Sequence, residues 1–208
     1  MQNKLYITTS IAYTNAPPHI GYALESVQAD AMARWSRLKG HSTYFLTGTD
    51  EHGSKIAKAA EEEGKSPEEF TDSIAKKFID LKKALDLTWD NFIRTTDQKK
   101  HWPGVEALWH KLEEQGDIYE KEYEGLYCVG CEAFLSERDL ENGLCTNHQR
   151  APEVIKEKNL FFRLSKYQDQ IKKAIESGEM VIEPEGRRNE ILSFIEDGLE
   201  DVSFSRSR

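Results

Sequence analysis

Apolar positions change their spacing several times along the first half of the chain. Residues 4–9 (Lys-Leu-Tyr-Ile-Thr-Thr) form a short run rich in β-branched and aromatic side chains, which predicts a buried strand. A turn follows through Asn15, Ala16, Pro17 and Pro18. From His19 to about Lys39, Ile20, Leu24, Val27, Ala31, Trp35 and Leu38 recur every three or four positions, the period of an amphipathic helix. Gly40 closes that helix as a C′ glycine. Residues 42–47 predict a second strand, and strand, helix and strand in that order favour a right-handed βαβ unit.

Two more helices are expected over about 52–63 and 67–85, the second with Ser66 as N-cap and Pro67 at the first helical position. Residues 91–95 predict a third parallel strand. A helix over about 97–115 should end at Gly116, with Pro103-Gly104 breaking or kinking its start. This is an α/β, doubly wound layout. After Gly116 the texture changes: short segments at 118–127, 153–156 and 160–164 alternate with glycines, prolines and a cysteine cluster, and two helical patterns follow at 166–176 and 187–197. A domain boundary is expected at 116–118. There are no internal repeats and no low-complexity tracts.

Of the 208 residues, 38% are hydrophobic and 31% charged, enough apolar material for a core beneath a well-solvated surface. No run approaches the ~18 apolar residues needed to cross a bilayer, and the first residues lack the apolar stretch of a secretory signal. The expected location is the cytoplasm. A net charge of −9 argues against a protein built mainly to hold nucleic acid. Local basic clusters at Lys82–Lys83, Lys99–Lys100–His101 and Arg187–Arg188 still leave room for a polyanionic substrate, although each also reads as isolated cations on a solvated face.

Three places carry candidate chemistry. The first is Tyr13-Thr-Asn-Ala-Pro-Pro-His-Ile-Gly-Tyr22, between a strand end and a helix start. In open parallel sheets ligands bind at the carboxyl ends of strands, and a helix N-terminus there suits phosphate. His19 would donate to phosphate oxygens and stabilise developing charge, while Gly21 would let a flat base approach the backbone. The alternative is a proline-rich turn whose histidine merely caps a helix. The second place is Thr47-Gly-Thr-Asp-Glu-His-Gly53, after the second strand. Asp50 there would pair with an amine and His52 would hydrogen-bond inward; taken alone, the segment also reads as an Asx turn with a helix N-cap.

The third is Cys128-Val-Gly-Cys131 followed, after thirteen residues, by Cys145-Thr-Asn-His148. Two pairs with two intervening residues each are the spacing of a tetrahedral Zn²⁺ site with three thiolates and one imidazole. Gly130 and Gly143 suit the tight turns of such a knuckle. With four protein ligands the site has no open position, so its role would be structural. The other reading is two unrelated pairs in a flexible loop, Cys128 with Cys131 and Cys145 with His148, whose thiols serve redox chemistry.

The first segment resembles the HIGH signature of class I aminoacyl-tRNA synthetases, with Tyr22 in place of its second histidine. A phenol donates one hydrogen bond but carries no positive charge at neutral pH. The second segment matches the Gly-Thr-Asp-Glu-His-Gly motif of methionyl-tRNA synthetases, and the knuckle resembles that family's one-knuckle form. Downstream, Asn159-Leu-Phe-Phe-Arg163, Arg188-Asn-Glu190 and Asp201-Val-Ser-Phe-Ser-Arg206 are similar to the family's connective-peptide domain and return strand. The resemblance covers essentially the whole chain and implies an N-terminal part of such an enzyme. It implies the first half of a Rossmann-like catalytic domain over 1–117, an inserted zinc-bearing α+β connective-peptide domain over 118–204, and a return to the first domain at 205–208.

By the same resemblance His19 and Tyr22 are catalytic, and Tyr13, Asn15, His19, Gly21, Tyr22 and Glu25 bind ATP, which enters with Mg²⁺. Ile11 and Ala12 offer backbone contacts to methionine, Tyr13 walls its side-chain pocket, and Asp50 binds its α-amino group. Zn²⁺ on Cys128, Cys131, Cys145 and His148 is structural. The implied activity is ATP-dependent formation of methionyl-adenylate and transfer to tRNA(Met), with no membrane partner. The family's Lys-Met-Ser-Lys-Ser loop is absent from the sequence, so this polypeptide alone is not expected to aminoacylate tRNA at a useful rate; a C-terminal part of the same enzyme is its implied partner.

Other class I enzymes fit less well. Cysteinyl enzymes place a zinc thiolate near the first strand, where no cysteine occurs, and the leucyl, isoleucyl and valyl enzymes carry an insertion much longer than the about 90 residues here. Two further readings remain open on the residues: a stand-alone zinc-bearing module that binds tRNA or a protein, and a class I-like nucleotidyltransferase. ATP binding separates the first from an enzyme, and the knuckle with the Asp50 segment argues against the second.

Overall fold

Strand β1 (Lys4–Thr8) and strand β3 (Ser42–Asp50) lie side by side in parallel, from Lys4↔Ser42 to Thr8↔Leu46. A two-residue strand, β2 (Ala12–Tyr13), resumes along β3 at Ala12↔Thr49 and Tyr13↔Asp50. Strand β4 (Asn91–Arg94) pairs with β3 from Leu46↔Asn91 to Thr49↔Arg94. Because Leu46 and Thr49 are each paired on both sides, β1 and β2 must occupy one edge of β3 and β4 the other. The computed structural model of the chain describes residues 3–131, 133–135 and 137–205.

Helix α1 (Ile20–Leu38) links β1–β2 to β3; α2 (Ser54–Glu62) and α3 (Pro67–Ala84) link β3 to β4. Two right-handed crossovers in the same direction put their helices on the same face of the sheet. The core follows. Ile7, Phe45, Ala29 and Ala33 form one buried cluster with Trp89 against it; Tyr22, Ile56, Ala60, Phe70, Ile74 and Phe78 form another, with Phe92 against it. Tyr6 and Tyr44, on the opposite face, stay exposed with ring centroids 6.0 Å apart. Helix α3 starts as the sequence predicts: Ser66 and Glu69 form a capping box, with Pro67 in the first turn.

Helix α1 departs from the simplest reading of its period. The apolar stripe faces outward, with Ile20 88%, Leu24 60%, Trp35 62% and Leu38 82% exposed. The packed side is small and polar: Tyr22, Ser26, Ala29, Asp30, Ala33 and Ser36. Small residues let the helix lie close to the sheet, and Asp30 anchors it by accepting from Thr88 N (2.5 Å), Thr88 Oγ1 (2.6 Å) and Arg34 Nε (2.5 Å). Burial pushes the Asp30 carboxyl up, but the Thr88 and Arg34 bonds outweigh it and hold the group below its ordinary range.

Three segment assignments change. Residues 48–50 belong to strand β3 rather than to a turn, and α2 is capped by Gly53 without a side-chain bond, so Asp50 is neither an Asx turn nor an N-cap. Gly48 makes that extension possible: a Cβ there would meet Ile93 O at 2.2 Å. Helix α4 (Trp102–Glu114) starts later than expected, with Pro103 tolerated in its first turn. Asp97 instead holds the preceding turn, accepting from Lys99 N and Lys100 N at 2.9 and 3.0 Å.

The chain divides into compact units over 1–107 and 108–208. In the second unit β5 (Ile118–Cys128) pairs antiparallel with β9 (Glu153–Phe162) along its length, from Ile118↔Phe162 to Tyr127↔Glu153. The segments at 153–156 and 160–164 are thus one strand, because pairing with β5 carries the polar stretch between them. Strand β6 (Ala133–Leu135) flanks β5, and β7 (Leu140–Glu141) pairs with β8 (Leu144–Cys145). Helices α5 (Gln168–Glu176) and α6 (Glu185–Glu196) follow, and β10 (Val202–Ser203) pairs with β9. Buried Asp117 ties the start of β5 to the Lys166 ammonium and Tyr167 hydroxyl; these bonds hold its carboxyl below the usual range. Arg206, and all but Ser205 of the expected return at 205–208, lie outside the described residues.

Candidate active site and metal centre

The carboxyl ends of β1, β2 and β3 meet the N-terminus of α1. Thr47 joins them: its Oγ1 is 2.6 Å from Thr9 Oγ1 and 3.1 Å from the Tyr22 hydroxyl. Thr9 donates its own proton to Ser10 O at 2.8 Å. Each hydroxyl has one proton, so Thr47 donates to Thr9 and Tyr22 donates to Thr47. Tyr22, only 7% exposed and edge-on to Phe78 at 4.9 Å, therefore braces the turn from inside the core. Glu25 adds a second brace, its two oxygens accepting from Ser10 N and Ser10 Oγ at 2.7 Å each.

His19 is the N-cap of α1. Its Nδ1 accepts from Gly21 N at 3.0 Å, which leaves Nε2 to carry the proton of the neutral ring as an outward donor. Gly21 makes room for this: a Cβ there would lie 2.9 Å from His19 Cε1. Ile11 and Asn15 are exposed on the same turn, while Ala12 and Tyr13 pack partly buried against the Tyr22 cluster.

Asp50 closes β3 directly beside Tyr13. Its carbonyl accepts from Thr14 N (3.0 Å) and Thr14 Oγ1 (3.2 Å), but its carboxylate takes part in no hydrogen bond or ion pair among the described residues. Glu51 is the opposite case. Its side chain is fully buried, accepting from Thr49 Oγ1 (2.6 Å), Arg94 Nε (2.7 Å) and the Thr96 hydroxyl. Arg94 also reaches Asp72 at 2.6 Å, and Glu51 foremost pushes its guanidinium further up. His52 is exposed at the rim of a shallow hollow of about 350 Å³ with Thr95, His101 and Trp102, rather than bonded inward.

Cys128, Cys131, Cys145 and His148 come together in the second unit, their ligand atoms all within 4.8 Å of one another. Cys131 Sγ lies 3.5 Å from Cys145 Sγ and 3.3 Å from His148 Nδ1; Cys128 Sγ and Cys145 Sγ lie 3.9 and 3.8 Å from that nitrogen. A tetrahedron with ~2.3 Å metal–sulfur bonds has edges of about 3.8 Å, so the set fits one tetrahedral ion. His148 chiefly draws the Cys145 thiol down to about 6, easing the deprotonation a metal ligand needs. Gly130 is required here, since a Cβ would meet the His148 ring at 2.5 Å.

The spacing-based candidates thus gather at two places, one in each unit. Sequence reasoning passed over Ser10, Thr47, Glu51 and Arg94, whose contacts reach 15 to 45 residues along the chain. Of the basic clusters, Lys82 is engaged by Trp89, donating to its carbonyl at 2.7 Å, and Arg187 pairs with Glu190 at 2.6 Å. No described helix is long and apolar enough to cross a membrane.

A parallel sheet wound in one direction, a His-x-Gly helix start and a carboxylate ending the next strand define an α/β fold of the class I aminoacyl-tRNA synthetase type. The chain belongs to the family described as tRNA synthetases class I (M), which matches residues 5–145 and 137–208. It is 49% identical over 207 residues to the methionine–tRNA ligase of Caldanaerobacter subterraneus subsp. tengcongensis, and 46% identical over 208 residues to that of Thermotoga maritima. These alignments take in 100% and 98% of this chain but only 32% and 33% of the relatives, so the chain spans about a third of their length. The crystal structure of Mycobacterium tuberculosis methionyl-tRNA synthetase bound by methionyl-adenylate is similar at TM-score 0.91 and 40% identity, covering 98% of this chain and 41% of that one.

Proposed function

We propose that this chain carries the amino-acid- and nucleotide-binding part of a methionine–tRNA ligase, an enzyme that activates methionine with ATP and transfers it to tRNA(Met). The unengaged Asp50 carboxylate, at the carboxyl end of a parallel strand and beside Tyr13, carries the reading. It suits the α-ammonium of methionine, with Ile11 and Ala12 as backbone contacts. The Tyr13 ring offers a thioether the aromatic wall it favours.

ATP, with Mg²⁺, then lies at the start of α1. The free N–H groups there and the His19 Nε2–H donor face the phosphates, and stabilise charge as the methionine carboxylate attacks the α-phosphorus and pyrophosphate leaves. Asn15, Gly21 and Glu25 border the nucleotide. Buried Tyr22 serves it indirectly, through Thr47, by holding the turn in shape. A Zn²⁺ ion held by Cys128, Cys131, Cys145 and His148 is structural, in a connective-peptide domain over 118–204, and residues 1–117 belong to the catalytic domain. The exposed apolar face of α1 suits the partner this reading requires, the remaining part of the enzyme. The cytoplasm is its place of action.

Titration of the chain with L-methionine and with ATP, followed by amide NMR so that weak binding is read, tests this. Asp50→Ala should weaken methionine at least about tenfold, the loss of one charge-assisted hydrogen bond, and leave ATP within about twofold. Equal loss of both ligands would instead make Asp50 a residue that holds the strand end together.

A further inference from the structure

We infer that Glu51 is a positioning residue for amino-acid binding: its buried carboxylate, locked to Arg94, Thr96 and Thr49, aims the neighbouring carboxylate of Asp50. The inference rests on the reading in which Asp50 receives the methionine ammonium. Two acids stand side by side at the end of β3, and their surroundings could hardly differ more. Successive side chains of a strand point to opposite faces. Thr49 and Glu51 share one face, where the Thr49 hydroxyl donates to Glu51 at 2.6 Å, and Asp50 between them is turned to the other.

The last residue of β3 is held from two sides. Asp50 is its last residue, and α2 begins only at Ser54, behind a Gly53 with φ of 140°. On the β2 side the Asp50 carbonyl is fixed by Thr14. On the β4 side Thr95 N donates to Thr49 O at 3.3 Å, and beyond that bond the attachment runs through Glu51. Its backbone N–H donates to Thr95 Oγ1 at 2.9 Å, and its carboxylate takes Arg94 and the Thr96 hydroxyl. Three consecutive residues, the last of β4 and the two that follow it, are thus bound to one residue beyond β3, with Asp50 held between that clamp and Thr14. A buried carboxylate is stable only when paired and fully hydrogen-bonded. The same pairing prevents Glu51 from competing for the ammonium. Arg94 offsets its charge, so Asp50 alone presents a negative group.

Glu51→Gln keeps the volume and removes the charge. In the NMR titration described above, the chain carrying it should bind L-methionine about five- to tenfold more weakly, with ATP unchanged within about twofold. Amide hydrogen exchange at residues 50–52 should quicken at least about tenfold, with β1 and α3 unaffected. Unchanged methionine affinity would overturn the inference, and so would equal weakening of methionine and ATP, which a general scaffold residue would give. A wild-type chain that binds no L-methionine would overturn the reading of Asp50 and this inference together, and is thereby distinguished from failure of Glu51 alone. If Glu51→Gln does not fold, Thr96→Val, which deletes one hydroxyl from the clamp, carries the test. It should weaken methionine about threefold, and no loss of methionine affinity would again overturn the inference.

Discussion

His19 folds its imidazole back over the start of α1, into the space a side chain at position 21 would need. The chemistry of one residue is set there by what its neighbour lacks. Gly21→Ala places a Cβ 2.9 Å from the ring, so the bond from Gly21 N to His19 Nδ1 should break and the ring should turn away. Nitrogen NMR of His19 should then lose its Nε2–H tautomer signature, and ATP should bind about tenfold more weakly; an unchanged tautomer would show that the Gly21 N–H does not set it. The His-x-Gly spacing was legible in the sequence because its partners are two residues apart. The Tyr22–Thr47–Thr9 relay was not, since it joins three elements, and nothing in the chain around Tyr22 shows that its hydroxyl points inward.

Among the elements, those with a strong local signal fell where the pattern placed them. Ser66 and Pro67 started α3, and Gly40 and Gly116 ended α1 and α4. Assignments that depended on pairing did not. The reach of β3 to Asp50 is decided by β2 and β4, and the unity of β9 by β5. Helical period showed which residues of α1 share a face but not which face packs, because Ala29, Ala33 and Ser36 are chosen for closeness rather than apolarity. The knuckle is the limiting case, with β7 and β8 of two residues each. Such segments have too little core to hold themselves, whereas structural zinc contributes about 10–16 kcal/mol in small zinc-binding peptides. We expect about one zinc per chain. Cys145→Ser, or chelation, should abolish amide protection across residues 128–148 while β1 and β3 keep theirs; a knuckle equally protected without metal would refute the zinc assignment.

At the scale of the molecule, charge and composition said little, and three short segments said most. A net charge of −9 does not speak against the proposed nucleotide site, which would rely on a helix terminus and the His19 imidazole rather than on a basic surface. The family was legible in those segments, and the fold agrees with it. In the proposed function the end of β3 recognises the ammonium group of an amino acid. It is tested most directly by titrating the wild-type chain with L-methionine and with 4-(methylthio)butanoate, which differs only in lacking that group, while following the amides of Tyr13 and Asp50. Methionine should shift both signals and the analogue should bind at least about tenfold more weakly. Equal binding of the two, or no response to methionine, would show that the end of β3 does not recognise the ammonium group.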